Sequence, residues 1–369
     1  MIGNELKLPL YIKPVFLILG LIGLVFILYI AQDILMPLVF AILISILLHP
    51  VVNFFVRLRI NRVIAIIITL LLTFLVIAAF GTLLFSQASR FSESWPILVD
   101  KFTQMLNDTI SWASGYFDIN PHKMNDWIIK TKGELINGSG AAIGQTILSL
   151  GNGIFVLFLI PVYVFMILFY HPLLIDFIRK SFAENNQTQV REIVTQTKSV
   201  IQRYLIGLVI EFFLMAALNS TALLILGIQY AILLGIIGAL LNIIPYIGGM
   251  VAVALPMMVA LVTKSSGWYP LYVMAAYYFI QLIDNNYIVP KIVASKVKIN
   301  ALFSILAVIA GNALWGIPGM FLSIPILAII KLILDNVEPL KNWGFLLGDT
   351  MPPLIIIKPI FKKILKKSI

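Results

Sequence analysis

Cysteine is absent from the chain, which excludes disulfides, thiolate metal sites and a cysteine nucleophile together. Histidine occurs only at positions His49, His122 and His171, far apart and without a His-Glu-x-x-His pattern, so no metal site is indicated. There is no Gly-x-x-x-x-Gly-Lys-Ser/Thr phosphate loop, and therefore no expectation that this chain hydrolyses ATP. No nucleophile and base pair points to an enzyme, and no cofactor is implied. Charge is scarce as well, with only 11% of the 369 residues ionic.

What fills the chain instead is apolar: 61% of residues are hydrophobic and the mean hydropathy is +1.03, more than a soluble core can hide. Uncharged segments of helical spanning length recur, so the fold class is all-α and the protein a polytopic membrane protein. The count expected is about six full spans plus two oppositely oriented helical hairpins. The net charge of +10 comes from lysines and arginines at helix ends and in the tail. That is the placement that the positive-inside bias and anionic head groups favour, and it gives no reason to invoke nucleic acid.

Taken in order, residues 1–85 read as three N-terminal spans. Lys7 and Lys13 precede Pro14 to Ala31, a retained span rather than a signal peptide. Ile34 to Val56 ends at Arg57, Arg59 and Arg62, and Val63 to Phe85 crosses outward. Residues 86–140 form the one large polar segment, expected outside the cytoplasm. In it Trp95, Leu98, Val99, Phe102, Met105 and Leu106 keep a helical spacing opposite Asp100, Lys101 and Gln104. Asn120-Pro121 stops that helix, and Met124, Trp127, Ile128 and Leu135 suggest a shorter second one. The pair either lies at the outer membrane interface or makes a protomer contact. Residues 141–230 hold a fourth span, Thr146 to Tyr170 with a kink at Pro161, a cytoplasmic connection from Asp176 to Arg203, and a fifth span, Tyr204 to Leu226.

Residues 231–337 read as the transport core, and 338–369 as a basic cytoplasmic tail. The core holds two uncharged runs, Ala231 to Val262 and Ile299 to Ile330. At 1.5 Å per residue each would span about 48 Å, against a hydrocarbon core of about 30 Å. Each should therefore fold back. A single crossing of the first run would also put Lys291, Lys296 and Lys298 outside, which the charge rule opposes. Two hairpins separated by the crossing Leu271 to Val289 enter from opposite faces, the geometry of an inverted repeat.

Candidate sites follow from those breaks. Pro245, Gly248 and Gly249 interrupt the first run, and Gly316, Pro318 and Gly319 the second. Each break either contacts solute through freed backbone groups or only turns the chain. Asn242 and Asn312, a few residues earlier, could offer side-chain oxygens. Asp284, followed by Asn285 and Asn286 near the end of the intervening span, is the best proton or cation candidate; the alternative is an interfacial acid beside Lys291. Glu211 and Asn219 are possible additions, or else helix-packing residues, with Glu211 paired to Arg203. Asp33 reads as solvated in a short turn.

Residues Pro37 to Pro50, Gly227 to Gly235 running into Ile244 to Gly248, Gln281 to Asn286, Pro290 to Ile292 and Trp315 to Pro325 together resemble the autoinducer-2 exporter family of bacterial permeases. The likeness runs from about Pro37 to Leu340. It implies a bacterial inner-membrane, multi-pass protein, a polar segment after the third span, and a pentamer. It also implies export of the signal autoinducer-2 or sodium(lithium)/proton antiport. Asp284 stands where the family more often has Glu, and Gly249 where many members have Pro. The expected function is a secondary transporter of a small polar solute coupled to protons or cations, with cytoplasmic termini and membrane lipid around it. The alternatives are a sodium(lithium)/proton antiporter and, from another class, a non-transporting scaffold.

Overall fold

The computed structural model describes residues 12–114, 158–244, 248–293 and 299–349, and every element among them is helical. Three helices open the fold: α1 (Ile12–Ile30), α2 (Gln32–Arg57) and α3 (Arg62–Ser114). A single residue, Ala31, turns α1 into α2, and Arg59 at φ 66° turns α2 into α3. Asn61 caps α3 by accepting from Val63 N–H at 2.9 Å. Arg57, Arg59 and Arg62 thus gather at one end of the bundle, the basic face.

α3 runs for 53 residues, about 80 Å. The stretch read as a separate amphipathic helix is the far half of this same helix, which passes through Pro96 without stopping. Part of its apolar stripe is covered by the chain itself, Leu98 and Val99 being buried. Leu98 joins the cluster of Val259, Val262 and Tyr277, with Phe91, Trp95 and Phe102 packed on it. Tyr230 ties in by donating to Ser94 Oγ at 2.7 Å. The second helix suggested by Met124, Trp127, Ile128 and Leu135 lies outside the described residues.

α4 (Phe158–Lys180) continues through His171-Pro172, where the sequence suggested an end. α5 (Gln187–Ile225) likewise absorbs most of the expected polar connection into one helix of 39 residues. Among the described residues five helices, α2, α3, α4, α5 and Ala301–Asn336, are long and apolar enough to cross a membrane.

The first long run divides into α6 (Ala231–Asn242), α7 (Gly248–Ala252) and α8 (Ala254–Thr263). It enters and leaves at the same end. The turn before α6 contains Gly227 at φ 63° and Tyr230 at φ 58°, and a Cβ on Gly227 would lie 3.0 Å from Lys264 Nζ, just past α8. α9 (Tyr269–Ile283) then crosses and continues as a π-helix, Asp284–Val293.

The second long run is α10 (Ala301–Asn336), which reverses at Trp315 (φ −136°) and Gly316 (φ 62°, ψ −145°). Its two arms touch through glycines: a Cβ on Gly311 would sit 2.4 Å from Gly319 O, and one on Gly319 2.0 Å from Gly311 O. Only glycine permits that approach. α11 (Lys341–Leu347) closes the base, with Asn300 N–H donating to Leu347 O and Gly344 packed on Asp335. Gln189 of α5 donates to Asn336 O at 2.7 Å, which sets this base on the basic face. The first hairpin therefore opens on one face and the second on the other.

Candidate functional site

Glu211 lies two turns past Tyr204 on α5, inside the apolar part of that helix. Asn242 is the last residue of α6. The chain doubles back directly after it: Gly248 rests on the Leu241 carbonyl, where a Cβ would come within 1.8 Å of the oxygen. Pro245, between them, lies outside the described residues. Asp284 sits where α9 widens into the π-helix, a change of winding that often marks functional positions.

These three elements bring Glu211, Asn242 and Asp284 together. The Asn242 amide donates to Asp284 Oδ2 at 3.0 Å and to Glu211 Oε1 at 3.4 Å. Gln281 donates to Asp284 Oδ2 and to Asn285 Oδ1, both at 3.3 Å. Asp284 is 1% exposed and Glu211 6%. Asp284 Oδ1 is buried without a hydrogen-bond partner among the described residues. The group lines a cleft of about 690 Å³ that also includes Tyr204, Gly249, Tyr277 and Ser304. No lysine, arginine or histidine is among its described lining residues. Two carboxyl groups joined by one amide, away from water and without a cation, repel strongly when both are charged. Such an arrangement can take up one proton or one small cation.

Gly249 has a local role in this geometry. A Cβ there would lie 2.5 Å from Gln281 Oε1, so the glycine leaves space for the side chain that holds Asp284. Asn285 lines the cleft, whereas Asn286 turns aside and donates to Leu282 O at 2.8 Å. Asn219 is fully buried outside the cleft, packed over Gly238, with its Oδ1 unpartnered among the described residues.

The second break is not brought to the cleft. Gly316 carries the left-handed turn, Gly319 packs on Gly311, and Asn312 is exposed. Beside Pro318, Trp315 Nε1 donates to Leu28 O at 3.1 Å, which places the tip near the far end of α1. The second hairpin reaches the cleft through its arms instead, at Ile299, Ser304 and Ile324.

Gln281 and Tyr277 escaped the sequence reading, although a signal for them exists. Positions 277, 281, 284 and 285 fall on one helical face of an otherwise apolar span. Two of the histidines that are far apart in the sequence are neighbours in space, for the rings of His49 and His171 lie 4.8 Å apart. Among the described residues no group of three or more His, Cys, Asp or Glu could hold a metal ion.

Comparison with known proteins gives a consistent result. The description AI-2E family transporter matches residues 15–338. The putative transport protein YrrI of Bacillus subtilis is 23% identical over 322 residues, 82% of this chain and 86% of that protein. The AI-2 transport protein TqsA of Escherichia coli K12 is 25% identical over 86% of this chain and 90% of its own length. The putative permease PerM of the same organism is 24% identical over 64% of this chain and 69% of its own.

Proposed function

This chain belongs to the AI-2E transporter family and is a multi-pass membrane transport protein, and from that premise we propose that it moves a small polar solute through the cleft in exchange with, or together with, a proton. The observation that carries the reading is the buried Glu211–Asn242–Asp284 group at the wall of a cleft of about 690 Å³. That volume lies within the range of small-molecule sites and far exceeds a bare ion. A proton shared by two carboxyl groups would relieve their repulsion, and its release would restore it.

In this reading Asp284 carries the proton, Glu211 is its like-charged neighbour, and Asn242 and Gln281 hold the pair in register. Asn285 and the backbone at Gly248 and Gly249 face the solute. The break after Asn242, Pro245 included, supplies freed backbone groups at that depth. Asn219 supports the wall from behind. Asn286, Asn312, Gly316, Pro318 and Gly319 serve the fold of the second hairpin and its neighbour. The two hairpins act as opposed halves of an inverted repeat. The basic face is cytoplasmic, with both termini on it, by the distribution of arginine and lysine. The relative named as an AI-2 transport protein supports a solute of the autoinducer-2 kind, and the family resemblance supports a homo-oligomer.

The unpartnered Asp284 Oδ1 favours a second reading, a sodium or lithium ion bound in place of the proton. Proteoliposomes under an imposed proton gradient separate the two when uptake of autoinducer-2, sodium and lithium is measured. Asp284→Asn should abolish gradient-driven uptake; coupling equal to wild type would remove Asp284 from the scheme. Absence of any solute flux would instead favour a scaffold.

A further inference from the structure

A second polar constellation lies on the basic face, away from the cleft. Lys198 of α5 donates to His49 Nε2 of α2 at 3.2 Å and to His171 Nε2 of α4 at 3.3 Å. An ammonium group only donates, so both Nε2 atoms accept and each neutral ring carries its proton on Nδ1. Asn53, whose amide lies 3.0 Å from His49 Nδ1, must then present its oxygen there. Arg62 joins the group by donating to Leu168 O at 2.7 Å, one turn before His171.

This cluster has two fixed positive charges and no carboxylate partner among the described residues. The neighbouring acid on α4, Asp176, is already held by Arg179 at 2.5 Å and Lys180 at 3.0 Å. Lys198 is half-buried, which makes an unneutralised ammonium costly. One of its three N–H donors remains after the two imidazoles are served.

Farther along α5 from the cluster is an entirely apolar groove of about 390 Å³, lined from α2, α3, α5, α6 and α10. Its lower rim is Leu47, two residues before His49, and Leu205, seven residues after Lys198 on the same face of α5. Seven residues rise about 10 Å. On α5 the change from polar to apolar sequence falls between Lys198 and Tyr204, so the cations stand at the water boundary and the groove in the hydrocarbon.

We propose that Lys198, Arg62, His49 and His171 form a binding site for a phosphate-bearing anion, the headgroup of an anionic phospholipid whose acyl chain occupies the groove. Lys198 and Arg62 supply charge, and the imidazoles hold Lys198 so that its free donor stays aimed at the phosphate. A lipid seated there bridges α2, α4 and α5.

The test uses the full chain purified in detergent. Native mass spectrometry with phosphatidylglycerol or phosphatidylcholine is paired with thermal-shift titration of inorganic phosphate. Retention of phosphatidylglycerol over phosphatidylcholine is expected, with about fivefold weaker binding in Lys198→Gln, from about 1 kcal/mol for one interfacial cation. Lys198→Arg should keep the binding, and Lys180→Gln, which removes a charge elsewhere on the same face, should leave it unchanged. Val209→Trp fills the groove without altering charge and should lower lipid binding alone. Inorganic phosphate stabilising the protein as well as the lipid does would assign the site to a soluble anion and overturn the lipid. Equal retention of both lipids, or equal loss from Lys180→Gln and Lys198→Gln, would overturn the site itself.

Discussion

Replacing Asn242 by leucine keeps the branching and heavy-atom count of the side chain and removes the amide that serves both carboxyl groups. Its bond to Asp284 at 3.0 Å has good geometry, while the one to Glu211 at 3.4 Å is long. A hydrogen bond to a charged group contributes about 1.5–3 kcal/mol, and the long one adds little. Asp284 keeps its bond from Gln281 at 3.3 Å, so the loss is partial. A deficit of about 2 kcal/mol corresponds to roughly a thirtyfold change in an equilibrium constant. The expected outcome is a fall of about that size in solute uptake driven by a subsaturating proton gradient. Solute counterflow without a gradient should change less than about threefold, because Asn242 acts on the acid pair and not on the solute. Uptake at the wild-type level would refute the assignment. Equal losses in driven uptake and counterflow would refute it too, by showing that Asn242 contacts solute or maintains the fold.

Other consequences are as direct. Gly319→Val places methyl groups against the Gly311 carbonyl, where even a Cβ meets the oxygen at 2.0 Å; a loss of at least about 3 kcal/mol in stability, read as a lower thermal midpoint in detergent, is expected. Trp315→Phe leaves Leu28 O without its donor and should cost about 1–2 kcal/mol in the same measurement, with driven uptake less affected than in Asn242→Leu. Since the chain contains no cysteine, Lys264→Cys and Lys291→Cys can be labelled in intact cells without background; reaction from opposite faces is expected, and reaction from one face would contradict the hairpin arrangement.

Much of the architecture was legible because it depends on length and charge. An uncharged run of about 48 Å has to fold back, and Lys264 and Lys291 limit where it can do so. Asp284 was legible for a similar reason, being an acid in an apolar span. The depth of each break was not, because a glycine and a proline turn a chain equally well at the cleft or at the far membrane face. Trp315 bonding to Leu28, 287 positions away, is what fixes the second tip, and no local pattern encodes it. The continuity of α3 was hidden by the change to polar composition after Phe85, which read as the end of a span yet lies inside the helix. His49 and His171 are 122 positions apart in the sequence and meet only because α2 and α4 pack together around Leu48, Val52 and Leu168.

The length of α3 has a mechanical consequence. At about 80 Å it is a lever arm whose short-range anchor is Arg62 on the Leu168 carbonyl and whose far half bears on α8 of the first hairpin. A tilt of about 5° at the Arg62 end sweeps the Ser114 end through roughly 7 Å. Displacements too small to resolve beside the basic face would therefore arrive at the first hairpin magnified, and a spectroscopic label near Ser111 would read them out.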